Sequence, residues 1–199
     1  MRTDDQFVWR TPHEKELPEL AGHDAYAKQT PPCRSLPLWG GIAFGGFGVV
    51  LHHPQREVTA GDWAAAVGRG DLVKTLRQAN PGRVRGPWSI LCDNESFLRA
   101  PASLAELGKL DVHLWKLPAR SPDLNPVERY WAWIRKRMRA MDLADLTAKR
   151  AVVGRMEYKR RFTRLVRSPQ GKSVASNMFM GLRTTCKCVV ANKGGASGK

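Results

Sequence analysis

The most informative stretch of the chain is the run Ser121-Pro122-Asp123-Leu124-Asn125-Pro126-Val127-Glu128-Arg129-Tyr130-Trp131. It predicts the start of a helix, because Asn125 is a favourable N-cap, Pro126 suits the first helical position and Glu128 stands at the third. The residues that follow place apolar side chains on one face of this helix. That face consists of Val127, Tyr130, Trp131, Ile134 and Met138. We therefore expect a long helix that packs on a core and continues beyond Met138.

Strands precede this helix, and basic helices follow it. Short apolar runs between turn residues predict strands, whereas apolar residues three to five positions apart predict helices. The predicted strands are a hairpin over 38–52 that turns at Gly45-Gly46, a buried strand over 88–92 and an alternating strand over 112–117. The predicted helices cover 59–79, 101–110, about 155–167 and about 170–191. Gly68 and Gly70 are potential breaks in the first of them. The last helix has a predicted apolar face formed by Val174, Met178, Leu182, Cys186 and Val189.

This order of elements predicts an α/β fold in which helices flank a mixed sheet. Two units are expected along the chain. Residues 1–141 would form the α/β core, and residues 142–199 a basic helical extension with a Gly-rich tail.

Two acidic residues mark a candidate site. Asp93 directly follows a predicted buried strand, and Glu128 lies in the first turn of the long helix, with 34 residues between them. Sites in open α/β sheets form at the carboxyl ends of strands, so both carboxylates are expected at one edge of the sheet. Converging carboxylates repel each other unless a cation joins them, and Mg²⁺ or Mn²⁺ suits oxygen ligands. A turn for Asp93 and a helix cap for Glu128 are the simpler alternatives, and these residues alone leave both interpretations open.

Three motifs together resemble the catalytic core of mariner-type DDE transposases. They are Trp39-Gly40-Gly41, Cys92-Asp93-Asn94 and the stretch 121–131, and the resemblance covers roughly residues 7–140. The 34-residue interval between Asp93 and Glu128 is also typical of that superfamily. The resemblance implies a ribonuclease-H-like fold, DNA strand cleavage and joining, and a divalent-metal site held by Asp, Asp and Glu. It makes Asp93 the second carboxylate and Glu128 the third, both catalytic and both metal-binding.

Two departures from that pattern concern the catalytic residues. The family's first Asp lies on a strand upstream of the Val-Trp-Arg stretch, here Val8-Trp9-Arg10, and only Asp4 and Asp5 are available before it. The family often has a His shortly after Asp-Asn, whereas here Glu95 follows Asn94. We therefore expect a transposase-like domain that is catalytically impaired, with Mg²⁺ or Mn²⁺ as cofactor if it is active.

The positive charge is concentrated in the C-terminal part of the chain. Residues 1–117 hold 14 basic and 13 acidic side chains, whereas residues 118–199 hold 19 basic and 5 acidic ones. Such an asymmetry predicts a polyanionic partner, most commonly nucleic acid, because Lys and Arg release counterions from phosphates. The candidate phosphate contacts are Arg129, Arg135, Lys136, Arg139, Lys159, Arg160, Arg161 and Arg164.

The partner could be DNA, as the resemblance implies, or RNA. In the second case the domain would be a repurposed, non-catalytic structural protein that binds RNA within a ribonucleoprotein complex. Four cysteines are too few for a disulfide framework, and no apolar run is long enough for a membrane helix. We therefore expect an intracellular protein without a membrane partner, located in the nucleus of a eukaryotic cell or, for the ribonucleoprotein alternative, in an organelle. An oligomer is compatible with the sequence.

Overall fold

The computed structural model describes residues 36–52, 58–83, 85–118 and 121–194. Within these residues the chain forms four strands and six α-helices. In chain order they are β1 (Leu38–Ala43), β2 (Gly46–His52), α1 (Ala60–Gly68), α2 (Asp71–Ala79), β3 (Trp88–Cys92), α3 (Pro101–Lys109), β4 (Val112–Lys116), α4 (Pro126–Thr147), α5 (Arg155–Arg167) and α6 (Pro169–Ala191). Short 3₁₀ turns at Ser96–Arg99 and Pro122–Leu124 precede α3 and α4.

The predicted hairpin is confirmed. Strands β1 and β2 pair antiparallel, and their register shifts between Trp39 and Gly40. The turn depends on glycine, because Gly46 has a φ of 119°, a backbone conformation that other residues rarely adopt. The amide of Gly45 donates a hydrogen bond to the carbonyl of Ala79, which fixes the turn against the end of α2.

The second pair of strands is parallel. Strand β3 pairs with β4 from Trp88↔Val112 to Cys92↔Lys116. Parallel strands need a crossover, and α3 supplies it here. The mixed α/β character predicted from the sequence is confirmed, but the strands that the structure describes form two separate two-stranded ladders, since no ladder joins β1 to β3.

The helical segment predicted over 59–79 is divided into two helices. Gly70, with a φ of 83°, separates α1 from α2. Thr59 begins α1 with a capping box, in which its hydroxyl accepts from the amide of Asp62 and the Asp62 carboxylate accepts from the amide of Thr59.

Two hydrophobic clusters lie on opposite sides of the hairpin. The first cluster joins α4, α5 and α6 to β1 and β2, and its buried members are Leu36, Tyr130, Ile134, Met138, Tyr158, Phe162, Leu165, Val166 and Ala175. The second cluster joins α1, α2 and α3 to the β3–β4 ladder, and its buried members are Val50, Trp63, Val67, Leu72, Trp88, Leu98, Leu107 and Val112. Phe47 of β2 packs against the first cluster, whereas Val50 belongs to the second, because alternate strand residues face opposite sides. The hairpin therefore lies between two helical layers.

Helix α4 begins as the sequence predicts, and it extends farther. The side chain of Asn125 accepts from the amide of Val127, Pro126 is the first helical residue, and Tyr130, Ile134 and Met138 are buried. The helix continues to Thr147, so the predicted division between residues 141 and 142 falls inside it. Residues on both sides of that division share the first cluster.

Small residues bring the longest helix, α6, close to its neighbours. Gly171 is buried, a Cβ there would collide with the carbonyl oxygen of Leu165, and the Tyr130 hydroxyl donates to the Gly171 carbonyl at 3.2 Å. Ala175 and Thr185 are also buried, whereas Cys186 is exposed, so the predicted apolar face is wrong at that position. None of the described helices is both long and apolar enough to span a bilayer.

Candidate functional site

The structure brings Asp93 and Glu128 to the same cavity. Asp93 follows the last residue of β3, and Glu128 lies in the first turn of α4, which is fixed by the Asn125 cap. Both carboxylates line a cavity of about 250 Å³ between β1, β3 and the start of α4. Their predicted placement at one end of the strands therefore agrees with the geometry, while their catalytic role stays a prediction.

A third carboxylate, Glu95, lines the same cavity. Burial, followed by the negative charges of Asp93 and Glu128, raises the pKa of Glu95 to about 7. Burial and the charge of Asp93 also raise the pKa of the Cys92 thiol. In the sequence, Glu95 stands out only as a departure from the family pattern, and its position two residues after Asp93 is the signal that could identify it.

The three carboxylates suit a divalent cation but do not enclose one. Among the residues that the structure describes, no three His, Cys, Asp or Glu side chains are grouped closely enough to hold one metal ion. Mg²⁺ in proteins is commonly bound by one or two carboxylates, with water and phosphate oxygens completing its shell. Asp93 and Glu128 fit that role, and Glu95 adds a third carboxylate to the same cavity. The candidate first carboxylates, Asp4 and Asp5, lie outside the described residues.

Four of the predicted phosphate contacts lie on α4. Arg129, Lys136 and Arg139 are exposed, whereas Arg135 is half-buried. Arg135 and Glu128 line a second cavity, of about 260 Å³, together with Leu38 and Trp131. Because Arg135 follows Glu128 by two helical turns, the structure places its side chain on the same face as that carboxylate.

The other four predicted contacts lie on α5, and one of them differs from the rest. Lys159, Arg160 and Arg164 are exposed and line a shallow groove with Arg167. Arg161 is mostly buried, with 16% of its side chain exposed, and lies 2.6 Å from the carboxylate of Asp145.

Arg161 also has other acidic neighbours. It lies 3.7 Å from a carboxylate oxygen of Asp142 and 3.8 Å from one of Glu157. The hydrogen bond from Arg161 holds the pKa of Asp145 below its usual range. Arg161 therefore connects α4 to α5, and its charge is compensated within the protein.

Comparison with known proteins identifies the family. A model described as DDE superfamily endonuclease matches residues 8–148. The chain belongs to this family. The DDE match includes the cavity residues Asp93, Glu95 and Glu128. No curated protein matches the chain in sequence.

Solved structures show that this DDE domain has a ribonuclease-H-like transposase fold. The Mos1 transposase catalytic domain with Raltegravir and Mn is 17% identical, with a TM-score of 0.52 over 86% of this chain and 88% of that one. A structure of the catalytic domain of Mos1 mariner transposase is 15% identical, with a TM-score of 0.52 over 86% and 87%. The Mos1 paired-end complex with the left transposon end is 15% identical, with a TM-score of 0.52 over 98% of this chain and 68% of that one. At these identities the likeness concerns the fold alone.

Proposed function

We propose that this DDE endonuclease domain binds nucleic acid along α4 and α5 and directs the backbone toward Asp93 and Glu128. The arrangement of Asp93, Glu95 and Glu128 around one cavity carries the proposal, because clustered acidic groups of which one, Glu95, has a raised pKa are typical of functional sites. Arg135 links this site to the basic surface, since it shares a cavity with Glu128. A phosphate bound by Arg135 would lie beside the carboxylates.

DNA is the nucleic acid that we favour. The similar Mos1 structures include a paired-end complex with a transposon end and a strand transfer complex. The exposed arginines and lysines would contact phosphates, and such contacts position a duplex without reading its sequence. RNA bound within a ribonucleoprotein complex is the alternative, and the binding experiment below includes it.

A divalent cation at Asp93 and Glu128 would supply Lewis-acid activation of a phosphodiester and of the attacking water. The protein's own contribution is to hold the phosphate backbone with Arg135 and to exclude water with the apolar walls of the cavity. Trp131 and Val127 form part of those walls.

We further propose that strand cleavage by this 199-residue chain is weak or absent. Two-metal phosphoryl transfer needs a complete set of ligands, and the described residues provide no group of three that could share an ion. The test is cleavage of supercoiled DNA with Mg²⁺ or Mn²⁺ by the wild type, Glu128→Ala and the control Glu106→Ala. Glu106 pairs with Lys109 at 2.6 Å and does not line the cavity. Robust cleavage that only Glu128→Ala abolishes would contradict the proposed impairment.

Nucleic-acid binding is tested by salt titration of Arg135→Ala/Lys136→Ala/Arg139→Ala. Loss of three phosphate contacts should weaken binding to two unrelated duplexes alike and reduce the slope of log affinity against log salt by up to about 3. The control removes three positive charges from the near-neutral part of the chain, at Lys74, Arg77 and Lys109. Equal slopes for the two triple variants would contradict the proposed surface. Tighter binding of an RNA than of both duplexes would favour the ribonucleoprotein alternative.

A further inference from the structure

One face of the β3–β4 ladder is covered and the other is open. The covered face contributes Trp88 and Val112 to the second cluster, and strand residues alternate between the two faces. On the open face, Trp115 is 61% exposed and Leu91 is 40% exposed. These two side chains are neighbours, because the parallel register pairs Leu91 with Trp115. Adjacent exposed apolar side chains of this size form a candidate binding surface.

The open face leads to the carboxylates. Leu91 and Asp93 are two positions apart along the chain, and both line the cavity of about 250 Å³. Two residues advance about 7 Å along a strand, and neighbouring strands are about 4.8 Å apart. The backbone of Trp115 therefore lies roughly 8 Å from that of Asp93. Two or three steps of a stacked nucleic-acid strand, at about 3.4 Å each, span this distance.

Positive charge lies at the same end of the ladder. Lys116 follows Trp115, is exposed, and is paired in register with Cys92. Arg99 is also exposed and lies close enough to Cys92 for its charge to act on that thiol. An aromatic ring with neighbouring cations is a combination by which proteins hold single-stranded nucleic acid, because the ring stacks on a base and the cations contact phosphates.

A protein partner fits this face less well. A standard protein interface involves about 20–30 residues on each side and has an apolar centre. Within the described part of the chain, the open face of the ladder offers only two large apolar side chains, and the other residues there are Ser89 and His113. The patch therefore suits a single planar group, such as a nucleobase, better than a protein surface.

We propose that Trp115 stacks on an unpaired base of the strand whose phosphate lies at Asp93, with Leu91 packing beside that base. The inference rests on the proposed nucleic-acid binding and names its substrate class. Bases inside a duplex are covered on both faces by their neighbours, so an unpaired base is needed to leave a face free for the indole ring. The site therefore favours DNA with a single-stranded extension over a blunt duplex. The sequence of the extension matters little, since every base has a π-face.

The affinity of the full-length chain for matched DNA probes tests this inference. The probes are a blunt duplex and the same duplex with a short single-stranded 3′ or 5′ extension. We expect the wild type to bind at least one extended probe more tightly than the blunt duplex. Trp115→Ala should weaken that binding by about tenfold, the contribution of one stacked base, and leave the affinity for the blunt duplex unchanged. Trp115→Phe should retain most of the affinity, because it keeps an aromatic ring.

Phe44→Ala is the matched control. Phe44 is an aromatic residue of similar exposure, at 60%, in the turn of the hairpin, and its loss should change neither affinity. Circular dichroism checks that the variants retain their helices. Equal binding of the blunt and extended probes by the wild type, or equal weakening of both by Trp115→Ala, would overturn the inference.

Salt dependence separates this inference from the proposed binding along α4. Stacking releases no counterions, so Trp115→Ala should lower the affinity for the extended probe without changing the slope of log affinity against log salt. That result, combined with an unaltered slope in the α4 triple variant, would support the stacking site and contradict the α4 surface. A changed slope in Trp115→Ala would overturn the stacking site. A dimer of the wild type in analytical ultracentrifugation that Trp115→Ala dissociates would also overturn it, because a second copy would then cover this face.

Discussion

The acidic side chains at the two ends of helix α4 have opposite electrostatic surroundings. At its start, Glu128 shares a cavity with Asp93 and Glu95, and no described basic side chain forms an ion pair with any of the three. At its far end, Asp142 and Asp145 are paired with Arg161, and Arg150 adds a contact to Asp145 at 3.3 Å. The pKa shifts also have opposite directions, because burial and then neighbouring negative charge raise the pKa of Glu95, whereas the hydrogen bond from Arg161 lowers that of Asp145. The acidic groups at the start of α4 are therefore the ones available to a cation, whereas those at its far end connect α4 to α5.

The largest expected loss of stability comes from a substitution in the middle of α4, between its two ends. Ile134 is fully buried in the first cluster, so Ile134→Ala should lower the free energy of unfolding by about 2–5 kcal/mol. Leu143→Ala on the same helix is the control, since Leu143 is largely exposed and its loss should cost less than about 0.5 kcal/mol. Urea denaturation measures both. Similar losses would show that the two ends of α4 are not joined by a packed core.

A smaller loss of stability is expected at the far end of α4, where Asp145 is paired with Arg161. Arg161→Met and Asp145→Leu should each lower the melting temperature, because each removes the 2.6 Å ion pair and leaves the remaining charge with only its longer contacts. The double variant should melt above either single variant, since apolar side chains can replace an ion pair. Thermal unfolding of all four proteins measures the coupling. Additive losses would mean that this pair does not connect α4 to α5.

The smallest expected effect is a pH dependence of stability that arises from Glu95, in the cavity at the start of α4. The folded-state pKa of Glu95, about 7, is above its ordinary value of 4.5, so stability is fully present below about pH 4.5 and decreases as the pH rises through 7. The loss is about 1 kcal/mol after allowance for solvent screening at this half-buried side chain. Glu95→Gln should remove the loss, and Mg²⁺ should reduce it in the wild type. Urea denaturation at pH 5 and pH 8 in EDTA provides the measurement. An identical pH profile for Glu95→Gln would contradict the electrostatic coupling.

The sequence predicted the parts of this arrangement that depend on local signals. The cap at Asn125, the apolar face of α4, the glycine turn of the hairpin and the strand before Asp93 all follow from neighbouring residues. The shared cavity of Asp93 and Glu128 followed from strand and helix ends meeting at one edge.

Features that depend on distant residues were not predictable in the same way. The raised pKa of Glu95 comes first from its burial in the folded cavity and then from the charges of Asp93 and Glu128. Arg161 is paired with Asp142 and Asp145 because α5 packs against the end of α4. The exposure of Cys186 depends on where α6 leaves its neighbours, which periodicity alone does not show. The separation of β1 from β3 likewise depends on three-dimensional packing.

The positions of the two hydrophobic clusters along the sequence also determine the order in which they can fold during synthesis. Every buried member of the second cluster lies between residues 50 and 112, so that cluster can close before the C-terminal helices leave the ribosome. The first cluster joins Leu36 to Ala175, so its earliest residue gains its full set of partners only when α6, the last described helix, has been synthesised. During that interval the hairpin side of the nascent chain presents Phe47 and Leu38 without their partners. Such transiently exposed apolar surface is where chaperones act, so translation pauses between residues 112 and 175 should raise chaperone binding to this chain.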